Sequence, residues 1–172
     1  MKKIMIVDDN YLSAEGIEKN IDWETLNAEI IHVCYNGTSA IEAMKKEPAD
    51  LIISDIEMPD LDGISMSRQA LEINPMVKII LISAYDKFEY ARRALLLGAL
   101  DYIEKPLDYA YLIQKVKNAF ALMEKEQKNL QLLKQSRPLL TEKFFREITH
   151  LPSSEAAYRL KPYLKYLNLE LN

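Results

Sequence analysis

Asp8, Asp9, Asp55, Ser83 and Lys105 each stand at or just past the end of a short apolar run, and their chemistry suits a divalent cation and a phosphoryl group. Magnesium prefers octahedral oxygen ligands, keeps several waters, and is held by one or two carboxylates plus a phosphate. Asp9 and Asp55 can supply those carboxylates, with Asp8 acting through water. The backbone carbonyl of Glu57, two residues beyond Asp55, is a further candidate ligand. A carboxylate is also a nucleophile toward phosphorus, giving an aspartyl phosphate. In-line attack requires cations that offset the charge of the carboxylate and of the incoming phosphoryl oxygens. The metal is one such cation and Lys105 the other, while the Ser83 hydroxyl can meet a phosphoryl oxygen.

Each of these residues has an ordinary explanation when taken alone. Asp55 can be a turn aspartate, Asp8-Asp9 a solvated loop or the N-cap of the first helix, Lys105 a surface lysine, and Ser83 a cap. Their joint placement argues for a site, because ligands of open α/β sheets collect at the carboxyl ends of the strands.

The elements that must position them are legible as five β-rich runs: Lys3–Val7, Glu29–Cys34, Leu51–Ser54, Lys78–Ser83 and Asp101–Ile103. Between them lie segments of helical period. Leu12, Ile17 and Ile21 form the apolar stripe of the first, Ala40, Ile41 and Met44 of the second, and Ile64, Ala70, Leu71 and Ile73 of the third. A fourth helix is expected over 86–97 and a fifth from about Asp108. Strands that alternate with helices at this spacing predict a parallel sheet covered on both faces. The near-continuous apolar character of the first, third and fourth runs predicts full burial. The fold class is therefore α/β: a five-stranded, doubly wound parallel sheet. Punctuation agrees, with Asn36-Gly37 ahead of the second helix, Pro48 and Asn74-Pro75 ending the second and third, and Gly98 placed to cap the fourth. Asp22-Trp23-Glu24 with Asn27 makes a longer connection after the first helix, anchored by Trp23.

The fifth helix outruns this domain. Val116, Ala119, Met123, Leu130, Leu133, Leu140 and Phe144 follow a three-four spacing, with Glu126 and Arg137 in two seam positions. That pattern fits a short coiled-coil dimer seam, or a helix whose stripe packs on its own domain and then frays. After Arg137-Pro138, helical fragments are expected at Glu142–His150 and Glu155–Leu167, carrying too few residues to build a core. The division is thus 1–122 as the α/β domain, 123–137 as a helical linker, and 138–172 as the helical start of a following region.

Composition narrows the classes. The 172 residues are 49% apolar and 28% charged, and nothing approaches the roughly 20 apolar residues that cross a bilayer. A lone cysteine, Cys34, excludes an internal disulfide and suits a buried small hydrophobe, and the cytoplasm is the expected compartment. His32 and His150 lack any zinc-ligand pattern. Residues 1–122 carry 13 Lys and Arg against 20 Asp and Glu, a net of −7, whereas residues 123–172 carry 9 against 6, a net of +3. An acidic domain of that kind does not bind nucleic acid through a broad surface, and neither a membrane nor DNA is expected as a direct partner of these residues.

Asp8-Asp9, Asp55 with Met58-Pro59-Asp60-Leu61-Asp62-Gly63, Ser83-Ala84 and Lys105-Pro106 resemble the receiver domain of bacterial two-component response regulators over about residues 1–122. The resemblance implies a phosphorylation-dependent signalling switch rather than an enzyme. Asp55 accepts a phosphoryl group from a sensor histidine kinase, while Asp8, Asp9, Asp55 and the Glu57 carbonyl hold Mg2+. Ser83 and Lys105 grip the phosphoryl group, and Tyr102 is the aromatic switch that turns inward when Ser83 shifts. The Lys105-Pro106 bond is expected to be cis. Homodimerisation on phosphorylation is implied. Asp22-Trp23-Glu24 and the run Ser83 to Ala91 further resemble the YesN-like subgroup, in which an AraC-type DNA-binding domain follows the receiver. On that likeness the chain is a truncated transcription regulator, and DNA is reached only through a domain outside it. The aromatics Tyr85 to Tyr90 belong either to the face that changes on phosphorylation or to ordinary helix packing. Two other readings remain: a phosphate-independent dimerisation module, and a phosphatase of the haloacid-dehalogenase type, which wants an Asp where Glu57 stands and a cap domain.

Overall fold

The computed structural model describes residues 1–84 and 99–148, the backbone alone from 133 onward. The order is β1 (Lys2–Val7), α1 (Tyr11–Asn20), β2 (Ala28–Cys34), α2 (Gly37–Lys46), β3 (Leu51–Asp55), α3 (Gly63–Ile73), β4 (Lys78–Ser83), β5 (Asp101–Glu104) and α4 (Tyr109–Ile148). The expected helix over 86–97 with its Gly98 cap, the Tyr85 to Tyr90 aromatics, His150 and the fragment from Glu155 lie outside the described residues.

All five strands are parallel, in the order β2-β1-β3-β4-β5. Strand order reverses between β1 and β3, and in such a sheet the crevice beyond the carboxyl ends of those two strands is the natural ligand site. Successive strand residues face opposite sides of the sheet. Met5, Ile52, Ile79 and Leu81 accordingly share one buried cluster with Ala40 and Met44 of α2 and Ile64, Met66 and Ala70 of α3. Ile4, Ile6, Ile53, Ile80 and Ile82 are equally buried on the other side, which leaves the inward faces of α1 and early α4 to cover them. This double covering is why the strands read as continuous apolar runs.

The helices begin on short polar side chains that take up free amides. Asn10 Oδ1 accepts from the Leu12 and Ser13 N–H groups, Asn36 from Ser39, Asp62 from Ser65, and Asp108 from Ala110 and Tyr111. Asp8 and Asp9 are thus not the N-cap of α1. Trp23 is buried, and its indole N–H donates to the Glu18 carbonyl at 3.2 Å.

Two expectations are corrected. Leu12 is 74% exposed, and α1 buries Ala14 and Ile17 instead. Five residues on a helix turn through about 140° away from the starting side, so Leu12 and Ile17 do not share a face. The stripe expected on α3 holds: Ile64 and Ala70 are buried and Leu71 and Ile73 pack half-buried against the same cluster, with Met66 and Ser67 buried beside them. Finally, α4 continues across Pro138 to Ile148, so the fragment expected from Glu142 is the end of this one helix. Inside a helix a proline removes one amide donor and crowds the carbonyl four residues earlier, at a cost of about 3 kcal/mol or more, which this helix bears at Pro138.

The chain divides into two units, Met1–Ala121 and Leu122–Asn172. In the second, α4 exposes Leu130 and Leu132. Among the described residues no helix is long and apolar enough to cross a membrane.

Candidate functional site

Three acids meet beyond the adjacent strands β1 and β3. In the register Val7 lies opposite Ser54, which sets Asp8 and Asp55 side by side one step further on. Asp8 and Asp55 are buried, at 1% and 6% exposure, while Asp9 is exposed. One carboxylate oxygen from each of Asp8, Asp9 and Asp55 lies within 4.8 Å of the others. The Asp8 carboxylate is held in place by the Asn10 N–H, which donates to its Oδ1 at 2.9 Å.

Lys105 arrives from the opposite side. Its N–H donates to the Ser83 carbonyl at 2.8 Å, extending the pairing of β4 with β5, and the Lys105-Pro106 bond is cis. Its Nζ stands 3.1 Å from Asp8 Oδ2 and 3.3 Å from Asp55 Oδ2. One ammonium thus serves two buried carboxylates, leaving the three acids with an excess of negative charge.

The turn after β3 fits closely over Asp55. Gly63 N–H donates to the Ile56 carbonyl at 2.9 Å, and a Cβ at residue 63 would drive into the Asp55 backbone carbonyl. Asp60 takes a left-handed backbone, φ 67°, within the same turn. Only glycine allows this approach. In the sequence Gly63 only closes the run that carries the resemblance, and its role in seating Asp55 emerges from the packing.

Burial pushes the Asp55 carboxyl up to about 6; Lys105 opposes that shift and Asp8 adds to it. Burial works against the Lys105 ammonium, yet Asp55 and Asp8 outweigh it and raise its pKa. Asp55 Oδ1 is buried with no hydrogen-bond partner. A buried polar atom in that condition is costly, and a native protein that keeps one usually has a use for it. An all-oxygen donor set with an unsatisfied carboxylate oxygen fits a hard divalent cation.

The other sequence-selected residues are less directly placed. Ser83 is fully buried at the end of β4, opposite Glu104 in the register. Glu57 lies half-buried in the turn after β3. Tyr102 is half-buried on β5 opposite Leu81, packed against the core cluster. Beside Asp8 and Lys105 opens a cleft of about 350 Å3, walled by Ser13 and Ile17 of α1 and by Leu107 and Tyr109. No local pattern in the sequence signals that cleft, because its walls come from the two ends of the domain.

Comparison with known proteins agrees with this geometry. Residues 4–117 match the family model described as the response regulator receiver domain. The uncharacterized transcriptional regulatory protein YesN of Bacillus subtilis (strain 168) is 29% identical over 126 residues, 73% of this chain and 34% of that protein. The chain thus spans about a third of the length of that relative. The receiver (REC) domain of AraT, a response regulator from Geobacillus stearothermophilus, superposes with a TM-score of 0.69 at 34% identity, covering 73% of this chain and 98% of that one. A CheX-CheY-BeF3-Mg+2 complex from Borrelia burgdorferi gives a TM-score of 0.63 at 29% identity, covering 69% and 89%. Since the family model matches residues 4–117, well over half of the chain, the chain belongs to the response regulator receiver domain family.

Proposed function

We propose that the chain is a phosphorylation-driven switch in which Asp55 accepts a phosphoryl group from the phosphohistidine of a sensor kinase. The observation that carries this reading is the state of Asp55: buried, bound to Lys105 through Oδ2, and with Oδ1 accepting no hydrogen bond. Oδ1 is the oxygen left for an electrophile. Its electron pair forms the new bond to phosphorus, the bond from phosphorus to the donor's imidazole nitrogen breaks, and that nitrogen keeps the pair and takes up a proton.

Asp8, Asp9, Asp55 and the Glu57 backbone carbonyl would hold Mg2+, which supplies positive charge to the phosphoryl oxygens when bound. The complex from Borrelia burgdorferi, described as holding Mg2+ and BeF3, lends support to that choice of ion. Lys105 supplies the second positive charge and Ser83 a hydroxyl. The added phosphoryl group brings about −1.5 to −2 of charge. Ser83 then moves toward it and Tyr102 turns into the space it leaves, reshaping the surface around β5 and α4. Pairing of two such surfaces, or of the α4 seam, gives a homodimer. The output would be transcription regulation through a DNA-binding domain beyond these residues, consistent with the name of the YesN relative. Such a domain signals rather than turning over a substrate, and it would work in the cytoplasm.

Incubation with Mg2+ and acetyl phosphate or phosphoramidate, followed by intact mass and sedimentation, tests the reading. One added phosphoryl group that is lost in Asp55→Ala is expected, with a shift toward dimer. Uptake by Asp55→Ala at the wild-type rate overturns the assignment of Asp55. No added mass, with dimer present throughout, would favour the phosphate-independent module.

A further inference from the structure

We infer that Tyr109, seated in the hollow that Gly16 leaves on α1, positions Lys105 for phosphoryl transfer at Asp55. The inference rests on the reading of Asp55 as phosphoacceptor. A Cβ at residue 16 would stand 2.5 Å from the Tyr109 hydroxyl oxygen and 3.8 Å from its Cζ. Cβ atoms do not approach an oxygen so closely, so a side chain at residue 16 would make the tip of Tyr109 shift from its place. Gly16 lies inside α1, where the backbone is helical and no positive φ calls for glycine. Glycine inside a helix is destabilising relative to alanine. The seated tyrosine gives this one a purpose.

The two elements joined there carry opposite sides of the ionic site. α1 begins at Asn10, whose N–H holds the Asp8 carboxylate. α4 begins at Asp108, which caps it, three residues after Lys105. The Lys105 N–H makes its bond to the Ser83 carbonyl, and Pro106 has no amide to donate. The short span from Pro106 to Asp108 is therefore located by its two ends: β5 on one side and the start of α4 on the other. Between α1 and that span lies the open cleft of about 350 Å3. With the backbone of Lys105 tied to Ser83, the Tyr109 contact across this opening would set how far the Pro106–Asp108 span stands from α1, and through it the reach of Lys105 Nζ to Asp8 and Asp55. Tyr109 does not touch the reacting atoms; it is a positioning residue.

The test compares wild type with Tyr109→Ala, Tyr109→Phe, Gly16→Leu and the size swap Gly16→Leu/Tyr109→Ala in the full chain. Phosphorylation by acetyl phosphate is followed by intact mass across a Mg2+ titration, alongside thermal unfolding. A displacement of 1 Å can cost up to about 100-fold in rate, and Tyr109→Ala and Gly16→Leu are expected to lose about fivefold at saturating Mg2+. In Tyr109→Ala the half-saturating Mg2+ concentration should not rise, because α1 and the acids it helps to hold stay where they are. Tyr109→Phe keeps the ring and should keep the rate, and the size swap should recover most of it. A folded Tyr109→Ala that reacts as fast as wild type overturns the inference. So does a loss of rate that rises and falls only with the unfolding temperature, or a size swap no better than Gly16→Leu. Failure of wild type itself to take up phosphate would instead remove the underlying assignment of Asp55.

Discussion

The two ends of β1 and β3 both set a lysine against carboxylates, with opposite results. At the amino end, Lys3 Nζ meets Glu47 Oε1 at 2.8 Å, and the Lys3 N–H donates to Asp50 Oδ2 at 2.8 Å. At the carboxyl end, Lys105 meets Asp8 and Asp55 at 3.1 and 3.3 Å. Distances hardly separate the two clusters; burial does. The side chains of Lys3 and Glu47 are 41% and 47% exposed, against 2% and 8% for Asp8 and Asp55. Water screens the first pair, and each partner simply favours the other's charge: the Lys3 pKa rises and that of Glu47 falls. In the second cluster burial dominates, so the Asp55 carboxyl is pushed up to about 6. The same residue types make a surface tether at one end and a buried cluster with an unsatisfied carboxylate oxygen at the other.

The strongest break of that contrast is Lys105→Ala. It leaves two buried carboxylates without their counter-charge and should destabilise the chain by about 3 kcal/mol near neutral pH, measured by urea unfolding. Phosphorylated Lys105→Ala should also sediment like unphosphorylated wild type; phospho-dependent dimerisation that persists would remove Lys105 from the switch.

Magnesium sharpens the comparison next. At about 100 times its dissociation constant, an ion bound only by the folded state adds about 2.7 kcal/mol to stability. Wild type should show this gain in thermal unfolding, and Asp9→Asn and Asp55→Asn should lose most of it. An equal gain in Asp55→Asn would place the ion elsewhere.

In the absence of metal, Asp55→Asn should raise stability at pH 7, on the order of 1–3 kcal/mol from the upward pKa shift. A carboxyl whose folded pKa exceeds its unfolded value stabilises the fold below the unfolded pKa and loses that contribution as pH rises through the folded one. Wild type should therefore weaken between about pH 4 and pH 6, and its gap from Asp55→Asn should close toward pH 4. A gap that stays constant across that window would show that burial does not strain Asp55. The smallest effect belongs to Lys3→Gln, which should leave the phosphorylation rate unchanged, as checked by intact mass over time.

Much of this was legible beforehand, for a physical reason. Leu51–Asp55 and Lys78–Ser83 are buried on both faces, so their sequences are unbroken apolar runs, and a polar residue at the end of each stands out. Asn36 announced its helix because a short polar side chain supplies the acceptor that free amides need, and Asp62 does the same for α3 without announcing it. Leu12 misled because an apolar residue beside a helix pattern carries no sign of which way it faces. Pro138 misled because proline ends helices only on average.

The sequence by itself determined which chemistry was present: acids, a lysine and a serine at strand ends, and the alternation that makes the sheet parallel. Those are local facts, carried by neighbours along the chain. Only the tertiary structure decided that Asp8 and Asp55 would be buried together under one ammonium, that Asp55 Oδ1 would go unsatisfied, and that Tyr109 would find its seat on Gly16. Burial and close approach depend on residues up to 97 positions apart, the separation of Lys105 from Asp8, and packing alone brings such residues within a few ångströms of each other.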